Sequence, residues 1–122
     1  MAYKILVVDD EDNQRKLYVQ VFEEEGYTVI EAENGRVALE KVAKERPDLV
    51  ILDIWMPGMD GIEALGKMLS GDERIPVVLN TAYGFYKDNF MSWAADAYVV
   101  KSADFTELKR TVRELLAERA GA

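Results

Sequence analysis

The sequence contains neither histidine nor cysteine. The first absence removes imidazole from every role as general base, nucleophile or metal ligand. The second removes disulfides and thiolate metal sites and suits a reducing compartment, although a cysteine-free periplasmic chain would share it. Positive charge is also scarce. With 15 Lys and Arg against 23 Asp and Glu, the net charge is −8, which disfavours direct binding to nucleic-acid phosphates. No run of about 18 residues is free of charge, so no membrane-spanning helix is expected. The opening Met1-Ala2-Tyr3-Lys4-Ile5 leads straight into a strand-like segment, without the regions of a signal peptide, and a cytoplasmic location is expected. There is no internal repeat, low-complexity tract or Pro/Gly/Ser linker, and 122 residues suit one domain spanning 1–122. The chemistry left to this chain is that of carboxylates, Lys, Arg and hydroxyls. Carboxylates without histidine suit a hard cation such as Mg²⁺.

Two hydrophobic periods alternate along the chain. Ile5-Leu6-Val7-Val8, Leu49-Val50-Ile51-Leu52 and Val77-Val78-Leu79 are continuous apolar runs, which predict strands buried on both faces of a parallel sheet. Thr28-Val29-Ile30 and Tyr98-Val99-Val100 are less uniform and predict strands nearer an edge. Between them, Leu17, Val21 and the Tyr18/Phe22 pair give a helical spacing over about Asp12 to Glu25, stopped by Gly26. Val37, Ala38 and Val42 mark a second helix, with Asn34 as its cap and Pro47 beyond its end. Ile62, Leu65 and Leu69 mark a third, about Phe85 to Ala95 an irregular fourth, and Phe105, Leu108, Val112, Leu115 and Leu116 a fifth. Asp104 with Glu107 forms a candidate capping box for that last helix. Five strands alternating with five helices predict an α/β, doubly wound parallel sheet in the flavodoxin-like order 2-1-3-4-5.

In such sheets ligands bind beyond the carboxyl ends of the strands, near the switch point between strands one and three. Strand one ends in Asp9-Asp10, followed by Glu11 and Asp12; strand three ends in Asp53; strand four in Asn80-Thr81; strand five in Lys101-Ser102. Singly, most of these have a bland reading: a helix cap for Asp9, Asp10 or Asp12, a turn residue for Thr81, a solvated lysine for Lys101. Asp53 is harder to dismiss, because it closes a fully apolar run. Together they predict carboxylates, a hydroxyl and an ammonium on one rim. Packed carboxylates repel one another unless a cation shares the site. With Mg²⁺ bound, Asp53 would be a carboxylate nucleophile able to form an acyl phosphate, and Lys101 would offset charge on the transferring group.

These residues resemble the receiver domains of two-component response regulators over essentially the whole chain. The most specific segment is Asp53-Ile54-Trp55-Met56-Pro57-Gly58-Met59-Asp60-Gly61, supported by Ile5-Leu6-Val7-Val8-Asp9-Asp10-Glu11, Thr81-Ala82-Tyr83-Gly84 and Lys101. The resemblance implies phosphorylation on Asp53. It implies Mg²⁺ (with Mn²⁺ as an alternative) held by Asp10, Asp53 and the backbone carbonyl of Trp55, with Asp9 helping through water. Thr81 and Lys101 would contact the phosphoryl group, and Tyr98 would be an aromatic that turns inward with Thr81; its bland reading is an edge-strand tyrosine with its hydroxyl in water. Trp55, Ala82 and Tyr83 would tune dephosphorylation. The donor would be a sensor histidine kinase or histidine phosphotransfer protein, and the output a downstream protein target or a fused output domain. The chain would then be either a stand-alone regulator or a receiver from a longer protein, catalysing only its own phosphotransfer and dephosphorylation.

Two departures stand out. The family usually has proline after the active-site lysine, often through a cis bond, where this chain has Ser102. A cis bond before a non-proline residue is costly, so the expectation is either that cost or a trans peptide with Lys101 redirected. The segment from Tyr83 to Ala97 crowds Phe85, Tyr86, Phe90, Met91 and Trp93, read either as core packing of a short helix or as a partner surface. Rival readings are weaker. An Asp-nucleophile phosphohydrolase needs an acid/base Asp where Trp55 stands, a flavodoxin-like cofactor carrier would not place four acids after strand one, and a degenerate docking module would not keep Asp9, Asp10, Asp53, Thr81 and Lys101 together.

Overall fold

The computed structural model describes residues 2–53, 75–81 and 95–121. Within them lie β1 (Lys4–Val8), α1 (Asp12–Glu24), β2 (Thr28–Ala32), α2 (Gly35–Glu45), β3 (Leu49–Leu52), β4 (Val77–Thr81), β5 (Ala97–Val100) and α3 (Thr106–Gly121). The strands form one parallel sheet in the order β2-β1-β3-β4-β5. The continuous apolar runs are the three central strands, and the mixed ones, β2 and β5, are the edges. The helical patterns at Ile62, Leu65 and Leu69 and over 85–94 fall outside the described residues.

Side chains alternate across a strand, so each strand feeds two cores. Leu6, Val8, Val50, Leu52, Val77 and Leu79 pack with Ala32 and with Ala38 of α2 on one face. Ile5, Val7, Leu49, Ile51, Val78 and Val99 pack on the other with Tyr18, Val21 and Phe22 of α1 and Leu108, Val112 and Leu116 of α3. On this second face α1 and α3 share one core cluster over the strands. On α1 the buried stripe comprises Arg15, Tyr18, Val21 and Phe22. Leu17, expected with them from its spacing, is 46% exposed, because it sits one position, about 100°, round the helix from Tyr18.

Helix ends follow local chemistry. Gly26 has φ +94°, the left-handed conformation that glycine adopts without penalty. Its amide donates to Glu23 O at 3.0 Å and that of Tyr27 to Phe22 O at 3.2 Å, while the Phe22 and Tyr27 rings lie 6.1 Å apart. Those paired bonds and that apolar contact define a Schellman stop. At α2, Asn34 Oδ1 accepts from the Val37 amide at 2.9 Å, capping an orphan donor of the first turn. At α3, Asp104 Oδ1 accepts from the Thr106 amide at 2.9 Å, while the Asp104 amide donates to Ser102 Oγ at 3.1 Å.

Candidate functional site

The parallel ladder runs on past the strand ends. The Asp9 amide donates to Ala32 O at 3.2 Å, and the Asp53 amide donates to Val8 O at 3.0 Å, which aligns the two aspartates along one rim. Parity does the rest. Asp9 continues Ile5 and Val7, Asp53 continues Leu49 and Ile51, Asn80 continues Val78, and Lys101 continues Val99, all on the face covered by α1 and α3. Lys101 Nζ accordingly reaches Asp9 Oδ2 at 2.8 Å and Asp53 Oδ2 at 3.0 Å. Asp9 and Asp53 are 2% and 6% exposed, whereas Asp10 faces solvent. One carboxylate oxygen from each of Asp9, Asp10 and Asp53 lies within 4.8 Å of the others.

Lys101 keeps its reach although the Lys101–Ser102 peptide is trans, as no peptide bond among the described residues is cis. The expected trade between a cis bond and a redirected lysine therefore does not arise. The strand's own parity aims Lys101 at the aspartates, and Ser102 lends its hydroxyl to the turn that follows. Burial by itself would lower the Lys101 pKa, but hydrogen bonding to Asp9 and the charges of Asp53 and Asp9 outweigh it, holding the ammonium above its ordinary value. Lys101 is a fixed cation between two carboxylates.

Other predicted residues are placed less fully. Thr81 ends β4 opposite Val100, and its side chain lies outside the described atoms. Tyr98 is half-buried on β5, packed against the core on the α2 side. Trp55, Ala82 and Tyr83 lie outside the described residues. Of the acids considered as caps for α1, none caps through its side chain: the cap position is Glu11, without a side-chain hydrogen bond. Asp9 Oδ1 instead accepts from the Glu11 amide at 2.9 Å, shaping the acidic turn itself.

Two neighbours of the site carry more than the sequence pattern assigns them: Arg15, which it leaves unassigned, and Tyr18, which it places only in the apolar stripe of α1. Arg15 is buried on α1 and spends its guanidinium on Glu31, Asp12 and the carbonyl of Asp9. Its burial lowers its pKa and the hydrogen bonds to Glu31 and Asp12 raise it, for a net rise. Tyr18 is 5% exposed and Asn80 3%. The two line the same small cavity, and the tyrosine's pKa is raised, chiefly by burial. The Tyr18 ring also meets Phe105 edge-on at 5.5 Å. A sequence signal existed for both: Arg15, Tyr18 and Phe22 share one helical face, and Asn80 is a polar residue at the end of an apolar run.

Residues 5–113 match the family model described as the response regulator receiver domain. The chain is 44% identical over 118 residues to sporulation initiation phosphotransferase F of Bacillus subtilis, covering 95% of both proteins. It is 43% identical over 115 residues to regulatory protein AtoC of Escherichia coli, covering 93% of this chain and 25% of that one. Among solved structures, the response regulator protein TrrA of Thermotoga maritima, in complex with Mg²⁺-BeF, superposes with a TM-score of 0.90 at 49% identity, over 94% of this chain and 99% of that one. The same regulator in complex with the histidine kinase ThkA gives a TM-score of 0.88 at 49% identity, over 95% of this chain and 99% of that one.

Proposed function

The chain belongs to the response regulator receiver domains, and from that premise we propose that residues 1–122 form one phosphoacceptor switch, in which Asp53 takes a phosphoryl group from a phosphohistidine on a separate protein. The observation that carries this reading is the convergence at one strand-end rim of Lys101 Nζ, 3.0 Å from Asp53 Oδ2, with carboxylate oxygens of Asp9, Asp10 and Asp53 within 4.8 Å.

The donor set fits Mg²⁺. It is all oxygen, it includes no soft or imidazole ligand, and opposite ligands of this ion stand about 4.2 Å apart at its usual bond length. Asp10 and Asp53 would hold the ion with the Trp55 carbonyl, and Asp9 would act through water; Mn²⁺ would suit the same hard ligands. When bound, the ion supplies positive charge that offsets the phosphoryl oxygens. In the transfer, a carboxylate oxygen of Asp53 forms a bond to phosphorus as the phosphorus–nitrogen bond of the donor breaks, and the electron pair leaves on the imidazole. Lys101 donates to the incoming oxygens and stabilises their charge as it builds. Thr81 would donate its hydroxyl to the acyl phosphate, with Tyr98 following it inward, so that a new dianion reshapes the adjacent surface. Trp55, Ala82 and Tyr83 would set the rate at which water removes the group. The chain is then a switch and not an enzyme acting on other substrates.

The kinase complex of the Thermotoga regulator supports a sensor histidine kinase or phosphotransfer protein as donor. The 25% share of the Escherichia coli relative supports receivers that work inside longer proteins, so the output is a separate target or a fused domain. No helix among the described residues is long and apolar enough to cross a membrane. The charge of −8 accords with action without direct nucleic-acid contact, and the site of action proposed is cytoplasmic.

Incubation with Mg²⁺ and acetyl phosphate, followed by intact-mass analysis, tests the proposal. One hydroxylamine-labile phosphoryl adduct is expected, absent in Asp53→Asn. No adduct would favour a docking module, and steady turnover without an adduct would favour a phosphohydrolase.

A further inference from the structure

We propose that Arg15 is a positioning residue for the metal-binding turn, fixing the backbone that presents Asp10. This inference rests on the switch reading above and adds a residue to it. Arg15 is 8% exposed. Its Nη1 donates to the carbonyl of Asp9 at 2.9 Å, its Nη2 to Asp12 Oδ1 at 2.6 Å and its Nε to Glu31 Oε1 at 2.8 Å. The guanidinium therefore ties three points together: the peptide joining Asp9 to Asp10, the first turn of α1, and the β2 strand beside it.

The consequence falls on Asp10. The peptide on its amino side is held by Arg15, and on its carboxyl side the Glu11 amide is held by Asp9 Oδ1 at 2.9 Å. Asp10 itself is exposed, so its backbone is anchored while its side chain stays open to solvent, which suits a ligand that must meet an ion arriving from water. The planar fork of arginine is needed, because its three donors point in fixed and different directions.

Charge alone predicts the opposite outcome. Arg15 is a cation beside an acidic cluster, and removing a like charge should tighten binding of a divalent cation. Positioning predicts weaker binding, because the turn must then be ordered when the ion binds. The sign of the change separates the two.

The experiment is calorimetric titration of Mg²⁺ alone into the full chain and into Arg15→Gln and Arg15→Lys, each checked by thermal melt. Both variants should bind Mg²⁺ on the order of tenfold more weakly, in the range seen when outer-shell partners of metal ligands are lost. Modification by acetyl phosphate should recover at saturating Mg²⁺, a separation that a general loss of stability would not produce. Equal or tighter binding by Arg15→Gln would overturn the proposal, as would wild-type affinity in Arg15→Lys, which keeps the charge and loses the fork. If Arg15→Gln does not fold, Arg15→Lys decides alone. A wild-type chain that binds no Mg²⁺ would instead overturn the switch reading on which the inference stands.

Discussion

At the amino-terminal rim of the sheet, Asp48 Oδ2 accepts from the Lys4 amide at 2.8 Å and Asp96 Oδ2 from the Val77 amide at 2.8 Å. At the opposite rim, Asp9 and Asp53 accept from one lysine ammonium. The residue type is the same, and the partners differ in kind. The first pair satisfies strand-end donors of the backbone, and each aspartate, set just before one strand, serves the amide that opens the strand beside it: Asp48 that of β1 and Asp96 that of β4. The second pair converges from different strands on a side-chain cation, close to a third, solvent-facing carboxylate. Like charges gathered in that way are costly unless something else uses them. An aspartate at a strand end is thus informative only through what it faces, and the two rims make different predictions under substitution.

The largest effect is expected at Lys101. Lys101→Met removes the ammonium that faces Asp53 and should slow phosphorylation by acetyl phosphate about a hundredfold, the usual scale for losing one preorganised donor to a developing charge. A rate within twofold of wild type would erase the contrast between the rims. At the other rim, Asp48→Ala strips the Lys4 amide of its acceptor and should cost about 1–2 kcal/mol in denaturant melts. It should leave the yield of acyl phosphate unchanged, and a fall in yield at full Mg²⁺ would show that the amino-terminal rim also bears on the chemistry.

Much of this contrast was legible in the sequence, for physical reasons. Buried parallel strands need unbroken apolar runs, so three of them announced the sheet, and the two mixed runs fell on its edges. Asn34 and Gly26 act through their own backbone neighbours, so their roles could be read locally. Lys101, Asp9 and Asp53 were placed on one rim by topology, although their shared face depends on strand parity that becomes certain only once register is fixed. Arg15 and Leu17 were harder. Both sit on α1, and although Arg15 shares the face of Tyr18 and Phe22, a buried guanidinium needs the partners that Glu31, Asp12 and the Asp9 carbonyl supply only in the folded chain. Asp48 and Asp96 gave no signal, because their partners are main-chain amides that carry no sequence identity. The capping box foreseen at Asp104 and Glu107 is not the arrangement found: Phe105 O accepts the first helical bond, from the Lys109 amide, while the Asp104 carboxylate accepts from the Thr106 amide and the Asp104 amide turns to Ser102.

Smaller effects sharpen the functional rim. Tyr18→Phe keeps the edge contact with Phe105 and removes a buried hydroxyl that lies beside Asn80, where a hydrogen bond between them would be lost. It should cost about 1 kcal/mol, a melting shift of a few degrees; an unchanged melt would mean that the bond contributes nothing. The smallest effect belongs to Asp104, whose pKa is lowered by the Thr106 hydroxyl and amide. A carboxylate with a depressed folded pKa stabilises above its unfolded value near 3.8, and that contribution is lost as pH falls through the lower folded value. Asp104→Asn keeps an acceptor oxygen without the charge, so its melting temperature should fall slightly less steeply in that acid window. An identical slope would show that the Asp104 charge does not contribute to stability.

Titration of Mg²⁺ into the wild-type chain, Asp10→Asn and Asp48→Asn sets the two rims against each other at the metal itself. One site is expected in the wild type, retained in Asp48→Asn and weakened on the order of tenfold or more in Asp10→Asn, as a hard cation loses a charged ligand. Retention of full affinity in Asp10→Asn, or its loss in Asp48→Asn, would contradict that expectation.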